Sequence, residues 1–162
     1  MEYWEHSDFR SVAFLTQPTM TIPQQIHAGQ FAAAILFRTE DHVAFLDHEP
    51  MTEGHTLVCP FRQVESIFDL SAEEREAFFR FAGQVEEAIR KTFDPLGMTQ
   101  IMNDGPFNEF GHLHLHLIPR YESDGFSWAA RDCRRHSVAE LESQAEKIVR
   151  FLPLPDIRIV CP

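Results

Sequence analysis

The chain has 162 residues, 44% of them hydrophobic, enough for one domain with a sizeable core. Its 25 acidic residues outnumber 14 Lys and Arg, and the formal net charge is −11. This argues against nucleic acid as a partner, because phosphate backbones are bound by basic surfaces. No run of eighteen apolar residues is present to cross a membrane, so no membrane partner is expected.

The first thirty residues are mixed, punctuated by Pro18 and Pro23. The acidic opening Met1-Glu2-Tyr3-Trp4-Glu5 lacks the apolar run of a signal peptide. The run from Phe31 to Phe37 reads as a buried strand, and Val43 to Leu46 as a second. Arg38-Thr39-Glu40-Asp41 between them is a turn, so the pair predicts a hairpin. A polar loop from Asp47 to Gly54 follows, then a third strand, Thr56 to Cys59, stopped by Pro60.

Ser71-Ala72-Glu73-Glu74 is a capping box, in which the Ser oxygen and the Glu carboxylate satisfy free backbone N–H groups. Phe78, Phe81, Ala82, Val85, Ile89 and Phe93 then recur at helical spacing, which predicts a helix with an apolar stripe laid on the sheet. Asp94-Pro95 and Gly97 end it. Thr99 to Met102 is a fourth strand, and Asn103-Asp104-Gly105-Pro106 a turn. A second capping box, Ser137 to Glu140, opens a C-terminal helix over about 137–152, with Leu141, Ala145, Ile148, Val149 and Leu152 on one face. The cysteines, Cys59, Cys133 and Cys161, form no metal-type pairs and suit the reduced thiols of a cytoplasmic protein. The order of strands and helices predicts an α+β fold, with a mostly antiparallel sheet and one domain over 1–162.

The fifth strand carries the chemistry. In His112-Leu113-His114-Leu115-His116-Leu117-Ile118-Pro119-Arg120 three histidines alternate with three leucines. Alternate side chains of a strand point to opposite faces, so the imidazoles share one face and the leucines the other. One histidine on a half-exposed strand needs no explanation, but three groups that titrate or ligate near neutral pH do. Nucleophilic imidazole chemistry is one reading. The other is a metal site, because His at i and i+2 on a strand can hold one ion.

These residues resemble the histidine triad superfamily, whose signature is three His alternating with hydrophobic residues. Gly54-His55-Thr56-Leu57-Val58-Cys59-Pro60 is similar to the family's upstream Gly-His strand. Val64 to Leu70 is similar to its next segment, Asn103 to Pro106 to its turn before the triad, and Pro119-Arg120 to its exit. The motif-bearing core spans about 31–121. The resemblance implies a five-stranded sheet with a central and a C-terminal helix, continued to ten strands across a homodimer. It also implies a hydrolase or transferase acting at the α-phosphorus of a nucleotide.

By that resemblance His114 is the nucleophile that forms a nucleotidyl-histidine, which water then cleaves. His112 and His116 orient it and donate to phosphate oxygens or the leaving group, and His55 buttresses the triad. Asp47 is implied at the ribose hydroxyls, Phe45 at the base, and Asn103 at ribose or phosphate. Asn108 is the candidate to replace a phosphate-contacting Gln common in other members, and Gln63 stands where many carry His. His48 follows Asp47 and is a candidate neighbour of the ribose. No cofactor and no metal is required by this chemistry. A dinucleoside polyphosphate and a nucleoside phosphoramidate are both implied substrates, the former favoured by Cys59-Pro60-Phe61-Arg62. Two other readings stay open: a non-catalytic nucleotide-binding or sensor module, and a metal-dependent enzyme that uses His112, His114 and His116 as ligands.

Overall fold

The computed structural model describes residues 20–127 and 136–152. In chain order the elements are α1 (Ile22–His27), β1 (Ile35–Arg38), β2 (His42–Leu46), β3 (Thr56–Pro60), α2 (Ala72–Phe93), β4 (Gly97–Ile101), β5 (Leu115–Arg120) and α3 (Val138–Val149). Single turns of 3-10 helix occupy Ile67–Asp69 and Gly105–Phe107. The strands form one sheet in the order β1-β2-β3-β5-β4, antiparallel throughout. This is the α+β architecture that the sequence predicts. The chain divides into two compact units, Met1–Phe126 and Ser127–Pro162. The sheet lies in the first. In the second, α3 is capped by Ser137, whose Oγ accepts from Glu140 N at 3.3 Å, and its Leu141 and Ile148 are exposed.

The sheet buries both faces, and strand alternation decides which residues go where. On one face Ala44, Val58, Leu115 and Leu117 pack against Phe78, Phe81, Ala82, Val85 and Ile89 of α2. These are the helix positions that the apolar spacing selects, and each fully buried large side chain contributes about 1.5–3 kcal/mol. On the other face Val43, Phe45, Leu57 and Cys59 pack with Ile26 of α1, and with Ile22, Phe31 and Phe61 at the margin. Helix α2 starts where predicted. Ser71 Oγ accepts from Glu74 N at 3.2 Å, and Glu74 Oε2 accepts from Ser71 N at 2.7 Å. It ends at Asp94, in the left-handed conformation (φ 44°), just before Pro95.

Three expectations need correction. The run from Phe31 to Phe37 is not a buried strand: only Ile35–Arg38 pairs, and all four residues are exposed. An apolar run does not reveal that its strand lies at a sheet edge with a neighbour on one side only. A register shift between Ile35 and Phe37 shortens the pairing further. The histidine strand enters the sheet only at Leu115. Before that, Leu113 N donates to Val64 O at 2.6 Å, so the segment after β3 holds the backbone that a ladder would otherwise hold. The mixed opening also contains a helix, α1, where Gln24 Oε1 accepts from Thr21 N at 2.9 Å and Pro23 sits in the first turn.

Gly54 fixes the approach to His55. Its φ is +82°, and a Cβ there would lie 2.9 Å from the Phe93 ring carbons Cδ2 and Cε2 and 3.3 Å from Pro119 Cγ. Gly54→Ala is expected to cost about 1–3 kcal/mol through this overlap and the positive φ. A lowered urea midpoint with an unchanged m-value would show it, and an unchanged midpoint would contradict it.

Candidate active site

The register of the sheet lines up the site. Phe45 pairs with Leu57, and Leu57 with His116, so all three side chains stand in a row on the α1 face. A cavity of about 340 Å³ opens over this face. Ile22, Phe31, Phe45, Leu57 and Cys59 make its apolar side, and Asp47, His112 and His114 its polar side. Such a pocket, apolar with a few convergent polar groups, suits a small ligand with one flat apolar part and one polar part.

Each imidazole has a defined partner. His114 Nδ1 lies 2.9 Å from the carbonyl oxygen of His112. A carbonyl only accepts, so Nδ1 carries the proton and Nε2 carries the lone pair. His112 Nε2 lies 2.7 Å from Pro60 O and donates to it, and its Nδ1 has no partner among the described residues. Burial holds the His112 pKa below the usual range, against the pull of the Pro60 bond. His112 is thereby anchored, and it positions His114 through its main chain.

His55 and His116 form a relay. Met51 N donates to His55 Nδ1 at 3.2 Å, so His55 is protonated on Nε2. His55 Nε2 stands 2.9 Å from His116 Nδ1 and donates to it. His116 therefore presents Nε2–H as its free donor. Burial pushes its pKa down to about 4, helped by His114 and His55 and opposed by Asp47. Burial lowers His55 as well, against the carboxylate of Asp47. The rings of His114 and His116 meet edge-on with centroids 4.9 Å apart.

Asp47 follows β2 and closes an Asx turn, its Oδ1 accepting from Glu49 N at 2.9 Å. Its Oδ2 lies 3.5 Å from His55 Nδ1 and 4.0 Å from His116 Nδ1. The turn and the site thus share one residue. Phe45 is both core and cavity wall, at 3% exposure. Asn103 is half-buried beyond β4 and is not among the cavity-lining residues. Asn108 also stands outside the lining; its Nδ2 donates to Glu65 O at 2.8 Å and its Oδ1 accepts from Phe110 N at 3.3 Å.

Some site residues carry little sequence signal. Phe110, whose ring meets His114 edge-on at 4.9 Å, comes from a loop without periodicity. Ile22 and Pro23 arrive on a helix too short to show a pattern; Thr21 and Gln24, at capping-box spacing, are the cue. His48, flagged only by its neighbour Asp47, lines the cavity and meets Phe31 edge-on at 5.5 Å. Cys59 lines it too, but burial pushes its thiol pKa well up, so it supplies no thiolate.

A domain model described as the HIT domain matches residues 28–123, which hold every residue of this histidine network. The chain belongs to the HIT, or histidine triad, family. Protein hit of Bacillus subtilis is 35% identical over 105 residues, covering 63% of this chain and 72% of that protein. The asymmetrical bis(5'-nucleosyl)-tetraphosphatase of Schizosaccharomyces pombe is 30% identical over 107 residues, 64% of this chain and 59% of that one. A crystal structure of a HIT family member from Bacillus subtilis superposes with a TM-score of 0.73 at 30% identity, over 83% of this chain and 99% of its own. The HIT fold is thus shared over most of the chain, and some of the relatives are dinucleoside polyphosphate hydrolases by name.

Proposed function

We propose that this HIT protein splits a linkage at the α-phosphorus of a purine nucleotide, as a hydrolase or nucleotidyl transferase, through a covalent nucleotidyl-histidine. The observation that carries the reading is the bond from His114 Nδ1 to the His112 carbonyl, which leaves Nε2 as a lone-pair nitrogen beside the cavity. A neutral imidazole with a fixed tautomer is a ready nucleophile, and fixing it beforehand lowers the entropic cost of attack.

Nε2 of His114 forms the N–P bond as the bond from phosphorus to the leaving group breaks. His116, with Nε2–H outward, donates to a phosphate oxygen or to the leaving atom. Water then attacks the phosphorus, its proton replacing the one the leaving group took from His116, the N–P bond breaks, and nucleoside monophosphate is released with His114 neutral again. The apolar wall of Phe31, Phe45 and Leu57 takes the base, and Asp47 accepts from the ribose hydroxyls. No cofactor is invoked, because imidazoles supply both nucleophile and donor. The substrate is a dinucleoside polyphosphate or a nucleoside phosphoramidate, and the yeast relative, a tetraphosphatase by name, supports the former. The reading includes a homodimer, for which β1 and β4 offer sheet edges.

The test mixes the protein, with chelator in excess, with diadenosine tetraphosphate or an adenosine phosphoramidate and quenches early. An adenylyl mass adduct on the peptide carrying His114 is expected, with monophosphate released at longer times. Turnover without any adduct at His114 would refute the covalent route, and bound nucleotide without turnover would favour a binding module.

A further inference from the structure

Asp47, His55 and His116 come from three segments of the chain and converge under the cavity. One ligand atom from each lies within 4.8 Å of the other two. Asp47 Oδ2 is the central one, 3.5 Å from His55 Nδ1 and 4.0 Å from His116 Nδ1. It accepts no hydrogen bond among the described residues, whereas its partner oxygen Oδ1 is held by Glu49 N. Both imidazole nitrogens that face it carry lone pairs: His55 Nδ1 is only an acceptor from Met51 N, and His116 Nδ1 only an acceptor from His55. Three lone pairs therefore converge where a hydrogen-bonded relay alone needs two. The Asp47 carboxylate is 17% exposed and lines the cavity, which gives an ion a way in.

We propose that Asp47, His55 and His116 bind a divalent transition-metal cation, zinc above all, and that the bound ion silences the catalytic site. Two imidazoles and a carboxylate, with a fourth position open to water, form a ligand set that zinc accepts. Metal–ligand bonds of about 2.0–2.2 Å place tetrahedral donors about 3.4 Å apart. The 3.5 Å separation already meets this, the 4.0 Å one needs a shift of well under an ångström, and the two imidazole nitrogens, within 4.8 Å of each other, close by at most about 1.4 Å as the rings turn toward the ion. No proton has to leave, because the ion takes lone pairs already present on Nδ1 of each ring.

The ion and the reaction compete for the same atoms. Coordination takes the His116 lone pair that accepts from His55, so His116 loses the bond that fixes its outward donor. It also takes the Asp47 oxygen proposed for the ribose. The silencing rests on the hydrolase reading above; the binding does not.

The test uses the full chain stripped with chelator and titrated with zinc sulfate by calorimetry, with magnesium as control. One tight zinc per chain is expected. Asp47→Asn should weaken it at least about tenfold, while His136→Ala, at an exposed pair with Glu140, should leave it unchanged. Zinc should raise the unfolding temperature of the wild type and not that of Asp47→Asn, which separates loss of the site from loss of fold. Turnover should fall as the site fills and return with chelator. No tight zinc, or equal affinity in Asp47→Asn, overturns the site. Turnover that persists with the site filled overturns the silencing, and zinc bound by a protein that never turns over sinks only the hydrolase reading.

Discussion

His114→Ala is expected to lower kcat/KM for nucleoside monophosphate release by about four orders of magnitude. Nucleotide affinity should stay within a few-fold, because the apolar wall and Asp47 remain. The size of the loss follows from chemistry: His114 Nε2 is the lone-pair nitrogen left beside the cavity by a tautomer that a main-chain carbonyl fixes, and alanine leaves no nucleophile in its place. Cys59 is kept protonated by burial, and His112 turns its Nε2 to Pro60. His116→Asn should have a different signature. Losses of about a hundredfold or more are expected with a leaving group that needs a proton, and far smaller ones with a nitrophenyl ester of the same nucleotide. Stopped-flow comparison of the two substrates measures the split. Equal losses on both would remove His116 from leaving-group departure.

Lowering the pH from about 7.5 to about 5 should destabilise the fold markedly, before the carboxylates titrate. His42, His55, His112 and His116 all have folded pKa values below 6.5, with burial the largest cause in each. Above the unfolded value both states are neutral, and the native fold has its full stability. As pH falls through 6.5 the unfolded chain gains protons that the native fold refuses, and stability declines until the folded groups protonate as well. For His116 that point is about 4, which corresponds to about 3 kcal/mol over the whole window. Urea midpoints across this range provide the measurement. His42→Phe should flatten the slope without touching the site, because His42 lies between Phe78 and Phe81 in the layer under α2. A midpoint that does not change between the two pH values would contradict the neutral burial of these rings.

The parts that sequence makes legible are those set by local rules. Helix α2 shows both ends, Ser71 with Glu74 at one and Asp94-Pro95 at the other, and its stripe names the buried face. The hairpin of β1 and β2 follows from the turn at Arg38 to Asp41, where Thr39 N donates to His42 O at 2.9 Å. The common face of the three histidines follows from alternation. What fails depends on neighbours far along the chain. Nothing within Ile35–Arg38 says that the strand lies at an edge. Nothing in the spacing of Asp47, His55 and His116 says that a loop carboxylate will rest against two rings, because β2, β3 and β5 must pair first. The tautomers of His114 and His116 are likewise invisible, since they depend on the carbonyl of His112 and on His55.

Those two tautomers are guarded by different kinds of atoms, and this sets how the site tolerates substitution. The acceptor that holds the His114 proton is a main-chain carbonyl, present whichever side chain stands at position 112. The donor that orients His116 is a side chain, which a single codon change at His55 would remove. The His114 tautomer is therefore robust to genetic drift and the His116 tautomer is fragile. A descendant of this chain that loses His55 would keep the lone pair of His114 and the nucleotide pocket, but would form the adduct slowly with any leaving group that needs a proton. Decay from turnover to simple nucleotide binding is the evolutionary route this architecture leaves most open.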